Sequence, residues 1–346
     1  MVSLYDLNLA ELTEFCDGLG ERPFRARQLF PWLYRKGISD FSQMTDVPAE
    51  TRKKLEENSR IDDLVLAESL SSSDKQTVKY LFRTDDAGCI ETVFMKYKDR
   101  NSICISTQAG CRMGCRFCAS GSLGLERNLR PAEMALQIIL SERAIGVFTK
   151  NIVLMGIGEP LDNYDNVKKF IENITDDHGR DLSRRAITLS TCGLVPGIER
   201  LAEELPQVNL AVSLHAPNDG LRGQIMPVTK KYGVKAVVDA AQRHYEITHR
   251  RPTFEYALIE GFNDGVECAA ELAALLKGMN CLVNLIQLNE AKEGSQARGS
   301  SAGTAEWFRE ELGRRHVAAT VRRSLGADID AACGQLRLRK EKAAPE

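Results

Sequence analysis

Three cysteines fall within eight residues and form the pattern C-x3-C-x2-C at Cys111, Cys115 and Cys118. Thiolates on one short loop are soft ligands, which select zinc, copper(I) or iron–sulfur clusters. Structural zinc sites are usually closed by four ligands, but no fourth cysteine or histidine follows at a metal-like spacing. A [4Fe–4S] cluster is normally held by four thiolates, so three would leave one iron open to an external ligand. The pattern therefore predicts a metal centre that performs chemistry.

The composition is that of an ordinary globular protein, with 43% hydrophobic and 27% charged residues in a chain of 346. One large α/β domain with a small accessory domain is the expectation for this length. We expect a cytoplasmic protein without a membrane span, because the sequence has neither a long apolar run nor a signal peptide. Ten cysteines then suggest a reducing compartment and a ligand or catalytic role for some of them. The formal net charge of -2 gives no overall nucleic-acid footprint.

Residues 1–60 predict a small helical domain. Leu9, Leu12 and Cys16 recur at helical spacing, and Pro23 suits the first turn of a second helix. The segment is rich in basic side chains, namely Arg22, Arg25, Arg27, Arg35 and Lys36. Two interpretations stay open: a solvated surface, or a surface that contacts phosphates.

Residues 61–96 change to a period of two and predict a β-hairpin. Val78, Tyr80 and Phe82 alternate with polar residues, turn residues follow, and residues 90–95 form the second strand. Glu91 lies among apolar neighbours on that strand. It is most simply a partly exposed strand residue, and a base with a raised pKa is the alternative.

From residue 97 onward, strands and helices alternate. Strands are expected at residues 104–106, 152–155, 186–189, 210–214, 253–259, 282–288 and 317–321. Helices are expected at residues 131–145, 167–174, 198–205, 234–248, 266–277 and 305–315. This repetition predicts βαβ units with a parallel sheet, either open or closed into a barrel.

Polar and glycine-rich clusters follow the carboxyl ends of these strands. They contain Gly158 and Glu159, Ser190, the run Ser213, Leu214 and His215, and Asn289. In barrel-type α/β folds this rim carries the active site, because the loops after the strands converge there. Each cluster also has a simpler explanation, since glycine and proline are common in turns and a lone histidine is usually a satisfied core residue. Glycines nevertheless let a backbone approach a ligand closely, and a following carboxylate can hold a ligand's ammonium.

The remaining cysteines divide into two groups. Five lie in apolar or helical contexts and are interpreted as structural: Cys16, Cys89, Cys192, Cys268 and Cys281. Cys104 differs because it ends the strand that leads into the cysteine loop. Cys333 has small neighbours and follows the final strand, so chemistry alone makes it a candidate fourth ligand of the cluster.

Several motifs together resemble the RlmN-type radical S-adenosylmethionine (SAM) RNA methyltransferases. They are C-x3-C-x2-C, G-x-G-E-P, L-S-T-C-G, S-L-H-A-P-N-D, M-P-V-T-K-K-Y and D-I-D-A-A-C-G-Q-L. The resemblance extends to Leu336 and covers nearly the whole chain. The related Cfr-type proteins share the cysteines but tend to have alanine after the motif glutamate, where this chain has Pro160. Cys192 departs slightly, because small residues such as serine also occur there in relatives.

The resemblance implies a fold and a domain division. The fold is a partial (β/α)6 TIM-like radical SAM barrel with a small N-terminal helical domain and a β-hairpin extension. Residues 1–60 would be a helix-hairpin-helix-like RNA-binding accessory domain, and residues 61–96 the hairpin extension. Residues 97–326 would be the radical SAM core, and residues 327–346 a tail that carries a methyl-carrier cysteine.

The resemblance also implies an activity: methylation at C2 of adenosine 2503 in 23S rRNA and, in many members, of adenosine 37 in tRNAs. The cofactors would be a [4Fe–4S] cluster on Cys111, Cys115 and Cys118, and two SAM molecules per turnover. SAM contacts would be Gly158, Glu159, Ser190, Ser213, Leu214, His215 and Asn289.

In this family mechanism Cys333 is a methyl carrier and not a cluster ligand. Cys333 takes a methyl group from one SAM, and a 5′-deoxyadenosyl radical from the second SAM activates that group for addition to C2. Glu91 matches the proton acceptor. Cys104 matches the resolving cysteine, which releases the RNA by forming a disulfide with Cys333.

The partners implied are 23S rRNA, tRNA and an electron donor such as flavodoxin or ferredoxin, for a monomer without membrane contact. Further phosphate contacts are expected from Arg322, Arg323, Arg337, Arg339 and Lys340. Three alternatives stay open: Cfr-type methylation at C8, a non-catalytic RNA-binding protein with structural zinc, and an activase that places a glycyl radical on a partner. The activase would have no use for Cys104 and Cys333.

Overall fold

The computed structural model describes residues 1–84, 86, 88–122, 124–288, 298–322 and 325–331. Its strands are β1 (Val2–Ser3), β2 (Ser59–Arg60), β3 (Val65–Ser71), β4 (Thr77–Arg83), β5 (Cys89–Lys96), β6 (Asn101–Cys104), β7 (Gln108–Cys111), β8 (Gly124–Asn128), β9 (Asn151–Leu154), β10 (Ile187–Thr191), β11 (Asn209–Ser213), β12 (Thr253–Leu258), β13 (Leu282–Gln287) and β14 (Ala319–Arg322). Its α-helices are α1 (Leu9–Gly18), α2 (Phe24–Pro31), α3 (Ala49–Asn58), α4 (Pro131–Ile145), α5 (Tyr164–Thr175), α6 (Val195–Glu204), α7 (Asp219–Ile225), α8 (Val234–Thr248), α9 (Val266–Leu275) and α10 (Ala302–Arg314). A π-helical turn at Trp32–Lys36 follows α2.

A ten-stranded sheet organises the molecule in the order β14-β13-β12-β11-β10-β9-β6-β5-β4-β3. The strands from β6 to β14 in this order pair in parallel. Right-handed crossover helices return the chain between such strands. The predicted parallel sheet of a partial barrel is therefore confirmed.

The predicted β-hairpin is present as β4 and β5, and it extends the main sheet through antiparallel pairing of β5 with β6. An additional antiparallel strand, β3, pairs with β4 at the outer edge. Strand β3 could not be predicted, because its residues are almost all exposed and lack an alternating apolar pattern.

The helix bounds follow from local signals. Helix α4 begins with Pro131 in its first turn, and the Glu133 carboxylate accepts from the Arg130 backbone N–H at 2.8 Å. It ends at Gly146 with φ of 70°, the left-handed conformation that glycine adopts easily. Helix α7 was missed by sequence reasoning, since it has seven residues and contains Gly220 and Gly223, which disfavour helix.

The N-terminal helices share one hydrophobic core with the helices of the barrel, in which Leu12 and Phe30 are buried along with Phe170. Polar contacts reinforce this packing. The Tyr34 hydroxyl accepts from Asn173 at 2.7 Å, and Arg35 donates to the carbonyl of Gly179 at 2.8 Å. The N-terminal segment is thus fixed against α5 and the loop after it.

The cysteine loop lies in a separate two-stranded hairpin, β7 and β8, at the carboxyl edge of the parallel strands. Gln108 on β7 ties this hairpin to the loop after β9, because its Oε1 accepts from the Glu159 backbone N–H at 2.8 Å. In the part of the chain that the structure describes, no helix combines the length and apolar character needed to cross a membrane.

Candidate active site

A cavity of about 160 Å³ opens at the carboxyl ends of β9 to β12, beneath the cysteine loop. It brings together the three cysteines of the loop and most of the polar clusters that the sequence singled out. Its wall includes Cys111, Cys115, Cys118, Gly158, Glu159, Ser190, Ser213 and His215. Residues more than 100 positions apart in the chain therefore meet at one rim, as the positions of the strand ends predict.

Two thiols of the loop, those of Cys111 and Cys115, are poor acids in this environment. Burial raises the pKa of Cys111 to about 12, and Cys118 and Glu159 act in the same direction. Burial also raises the pKa of Cys115, with a further contribution from its two neighbouring cysteines. Buried thiols of this kind become thiolates only when a cation balances their charge, which is the role of a metal centre.

The three cysteine sulfurs are not all close together. Among the described residues, Asp176, Asp177 and His178 form the one group of three ligand side chains whose atoms all lie within 4.8 Å of one another. At least one pair of the three cysteine sulfurs is therefore farther apart than that.

Gly158 lets the loop after β9 approach the cysteine hairpin. Its φ is +112°, and a Cβ at this position would lie 2.7 Å from Cβ of Gln108. No other residue type fits there without displacing β7. The backbone of the loop after β9 therefore approaches β7 closely at Gly158.

Glu159 places a buried carboxyl group in the cavity wall, with 3% of its surface exposed. Its Oε2 accepts from the Cys192 backbone N–H at 2.7 Å and its Oε1 from that of Leu161 at 3.1 Å. Burial raises the pKa of Glu159 and outweighs these hydrogen bonds, which lower it. An ammonium group of a ligand would complete this site by supplying the missing positive charge.

His215 lies in the cavity wall as a neutral imidazole. Its Nδ1 accepts from the Ala257 backbone N–H at 2.9 Å, so the ring proton is assigned to Nε2. Burial lowers the pKa of His215 to about 3, and the charge of Arg222 acts in the same direction. The ring also meets Phe117 of the cysteine loop edge-on at 4.6 Å between centroids.

Leu214 occupies a different kind of position from its neighbours, since its side chain is fully buried in the core. Only its backbone could meet a ligand. Asn289 and Cys333 lie outside the described residues.

Arg222 on α7 was missed by sequence reasoning and is fully buried. Its guanidinium donates to the carbonyls of Cys192 at 2.6 Å, Leu214 at 3.0 Å and Ser213 at 3.1 Å. It also donates to the Tyr232 carbonyl and the Thr229 hydroxyl. The one cation thus ties together the loops that follow β10 and β11.

A second group of side chains lies beside the cavity. Cys104 is 7% exposed and packs with Val93 and Ala331, in a cluster that also contacts Met155 from the cavity wall. Val93 on β5 is the cross-strand partner of Cys104 on β6. Glu91 is two residues before Val93, so its side chain shares this face of the sheet. The structure therefore brings Glu91 and Cys104 together, next to the described end of the C-terminal segment.

Glu91 is not the partly exposed residue that the sequence suggested first, since 1% of its surface is accessible. It forms a buried ion pair with Lys79, at 3.5 Å between Oε1 and Nζ. Sequence reasoning missed Lys79, although a lysine within an apolar strand was a visible signal.

The opposite side of the cavity contains an acidic group that was also missed. Glu255 on β12 accepts from Asn284 at 3.0 Å and lies 3.8 Å from Arg322. Arg322, for which we expected a phosphate contact, thus lies in the cavity wall. Arg323, Arg337, Arg339 and Lys340 are outside the described residues.

The five basic residues near the N-terminus have different environments. Arg25 is buried and pairs with Glu21, and Arg35 is bound to the loop after α5. Arg22, Arg27 and Lys36 are exposed. Only part of the basic set is therefore available to an external phosphate.

Comparison with known proteins places the chain in a family. The family model "Ribosomal RNA large subunit methyltransferase N-terminal domain" matches residues 2–61, and "Radical SAM superfamily" matches residues 105–273. The chain is 45% identical over 337 residues to a probable dual-specificity RNA methyltransferase RlmN from Clostridium novyi, covering 97% of this chain and 98% of the relative. It is 46% identical over 340 residues to the protein of the same name from Desulforamulus reducens, covering 98% and 97% of the two chains.

A solved structure agrees with this assignment. The crystal structure of a radical SAM methyltransferase from Sphaerobacter thermophilus superposes with a TM-score of 0.93 at 44% identity, covering 99% of this chain and 100% of that one. The cysteine loop, the loop that contains Gly158 and the polar residues at the strand ends thus lie in a matching fold. The chain belongs to the RlmN family of radical SAM RNA methyltransferases, whose cofactors are a [4Fe–4S] cluster and SAM.

Proposed function

We propose that the protein methylates C2 of an adenosine in 23S rRNA, and also in tRNA, through a methyl group carried on Cys333. The relatives are named dual-specificity RNA methyltransferases, which supports two RNA substrates. The observation that carries the proposal is the junction at Met155. There the cavity beneath the three cysteines adjoins the cluster that contains Cys104 and Ala331.

The cavity residues fit the cofactors. Cys111, Cys115 and Cys118 would hold the [4Fe–4S] cluster and leave one iron for SAM. Glu159 would accept from the SAM ammonium, while Gly158, Ser190, Ser213, the Leu214 backbone and His215 would bind its remaining groups. Asn289, which lies outside the described residues, is proposed as a further contact from the sequence motif. When bound, these cofactors supply a carbon radical strong enough to activate a methyl group. C2 of adenine requires this chemistry, since an electron-poor carbon cannot attack a methyl sulfonium as a nucleophile.

Cys333 would act first, as a thiolate that accepts the methyl group of one SAM. One hydrogen atom of the S-methyl group would be removed by the carbon radical that the cofactors supply. After the remaining methylene carbon has bonded to C2, the adduct would give up its unpaired electron to the cluster and Glu91 would take the C2 proton, while the electron pair of the C–H bond stays with the adduct. The Cys104 thiolate would then attack the Cys333 sulfur. A disulfide forms, the bond from the Cys333 sulfur to the transferred carbon breaks, and that carbon takes a proton to become the methyl product.

The RNA would contact the N-terminal helices, where Arg22, Arg27 and Lys36 are exposed. We propose the division made from the sequence: residues 1–60 for RNA binding, 61–96 as the hairpin extension, 97–326 as the radical SAM core and 327–346 as the tail with Cys333. The target base must reach a buried site, so an unpaired or extruded adenosine is required. Binding through phosphates should weaken as the salt concentration rises.

The proposal includes a monomeric cytoplasmic protein that receives electrons from a flavodoxin or a ferredoxin. Methylation at C8 of the same adenosine is the competing activity, and Pro160 after the motif glutamate favours C2. A colourless RNA-binding zinc protein is the competing non-catalytic role. A brown protein with broad visible absorption after anaerobic purification would exclude it.

The deciding experiment maps the methylated adenosine by mass spectrometry after reaction of the reconstituted holoenzyme with 23S rRNA and, separately, with tRNA. We expect 2-methyladenosine from the wild-type enzyme and no product from Cys333→Ala. A methyl group on C8 would refute the proposal, and methylation of rRNA without tRNA would remove its second substrate.

A further inference from the structure

Lys79 is a lysine buried within the sheet, with 4% of its surface exposed. It lies on β4, where its cross-strand partner is Val93 on β5, and Val93 is in turn the partner of Cys104 on β6. Lys79 therefore shares one face of three adjacent strands with Cys104 and Glu91. A buried ammonium is costly unless it is paired, so its placement calls for a specific role.

The ammonium group of Lys79 makes two contacts of different kinds. It forms the ion pair with Glu91 at 3.5 Å, and it donates to the backbone carbonyl of Asp330 at 3.1 Å. Asp330 belongs to a turn, residues 326–331, that leads directly toward Cys333 in the sequence. One cation thus touches the proposed base and the segment that precedes the proposed methyl carrier.

The same turn is anchored to β4 and the loop before it by two further contacts. Asp328 accepts from the Ser73 backbone N–H at 2.8 Å. Gly326 has φ of +68°, and a Cβ there would lie 2.7 Å from Cγ2 of Thr77. The turn therefore lies against Thr77 and Lys79 of β4 and against Ser73 of the loop before it, and Lys79 also contacts Glu91.

We propose that Lys79 is a positioning residue for removal of the C2 proton, which deepens the proposed function and rests on it. Its ion pair, at 3.5 Å between Nζ and Oε1, holds the Glu91 carboxylate, and its fixed position on β4 directs that carboxylate. Its bond to Asp330 makes the placement of the base depend on docking of the segment that precedes Cys333. In the step itself Glu91 takes the proton, the C–H electron pair stays on the RNA adduct, and Lys79 takes no part in the proton transfer.

The test separates the two stages of the reaction in the full-length holoenzyme. Cys333 methylation is measured by peptide mass, RNA turnover by formation of 2-methyladenosine, and stalled adduct by cross-linked protein–RNA on denaturing gels. The variants are Lys79→Met, Lys79→Arg and Glu91→Gln. Lys96→Met serves as the matched control, since Lys96 is an exposed lysine on the neighbouring strand β5.

We expect Lys79→Met to keep Cys333 methylated, to lose at least about tenfold in turnover and to accumulate adduct as Glu91→Gln does. Lys79→Arg should recover most of the turnover because it retains the charge, and Lys96→Met should match the wild type. Wild-type turnover in Lys79→Met would overturn the proposal. Loss of turnover without accumulated adduct in Lys79→Met would also overturn it.

A double variant keeps the test decisive if Lys79→Met does not fold because the Glu91 carboxylate has lost its ion pair with Lys79. Lys79→Met combined with Glu91→Gln removes both charges of this buried pair, so it should fold, carry methyl-Cys333 and accumulate adduct. Normal turnover of that double variant would overturn the role of both residues. If Glu91→Gln alone produces no adduct although the wild type methylates RNA, the proposed function of Glu91 fails and the role of Lys79 with it.

Discussion

Replacement of Arg222 by methionine tests whether one buried cation holds the SAM-facing rim together. Methionine has a similar length but cannot donate, so the carbonyls of Cys192, Ser213, Leu214 and Tyr232 lose their contact with the guanidinium. Each buried carbonyl left unpaired costs about 1–3 kcal/mol. We use the lower end of this range, about 1 kcal/mol per carbonyl, because the variant no longer has to desolvate a guanidinium. The four carbonyls together then lower the free energy of unfolding by about 4 kcal/mol.

This loss can be measured as a shift in the melting temperature of the apoprotein. For 346 residues the entropy of unfolding is about 0.7 kcal/mol/K, so 4 kcal/mol lowers Tm by about 5–6 °C. The matched control is Arg243→Met, which removes an exposed ion pair with Glu199 and should lower Tm by no more than about 1 °C.

Affinity for SAM provides the second readout, because Arg222 fixes the loops that carry Ser213 and His215. We expect SAM binding to the reconstituted Arg222→Met variant, measured by equilibrium dialysis, to weaken by at least about tenfold, or about 1.4 kcal/mol. A melting temperature and a SAM affinity equal to those of Arg243→Met would refute the reasoning.

Three further predictions concern single residues. Cys333→Ala should abolish methylation while its iron content and visible absorption match the wild type; loss of iron would instead make Cys333 a ligand. Cys104→Ala should accumulate a cross-linked protein–RNA species on denaturing gels, and normal turnover without it would contradict the resolving role. The pKa of His215, about 3 in the folded protein against about 6.5 unfolded, means that the unfolded chain binds the extra proton between these values. Its contribution therefore lowers stability as the pH falls below 6.5, by about 1 kcal/mol between pH 6.5 and 5.5. The free energy of unfolding of His215→Gln, measured with urea, should fall by about 1 kcal/mol less than that of the wild type over this pH interval. An equal pH dependence of the two proteins would count against a buried neutral imidazole.

Much of the fold could be predicted because its signals are local. Helix α4 matches the expected residues 131–145, since Pro131 and Gly146 mark its ends. Helix α8 likewise matches 234–248, between Gly233 and a left-handed His249. The parallel strands are short apolar runs separated by such helices, so their order in the sheet follows from chain connectivity.

The rim of the site could also be predicted, since the ends of parallel strands meet at one edge whatever the detailed packing. The charged residues inside the sheet could not be assigned in the same way. Lys79 and Glu255 each look like an isolated charge in an apolar run, and only cross-strand register or the curvature of the barrel shows what they face. Arg222 was harder still to assign from the sequence, because the helix that carries it is short and contains two glycines.

The shared core between the N-terminal helices and α4 and α5 has a consequence for substrate choice. Tyr34 and Arg35 fix those helices to the barrel at Asn173 and Gly179. If the proposed RNA-binding surface is held in this way, the protein sets the distance between the part of the RNA that it binds and the base that reacts. Two RNAs with unrelated sequences could then be equivalent substrates, provided that each presents an unpaired adenosine at that span.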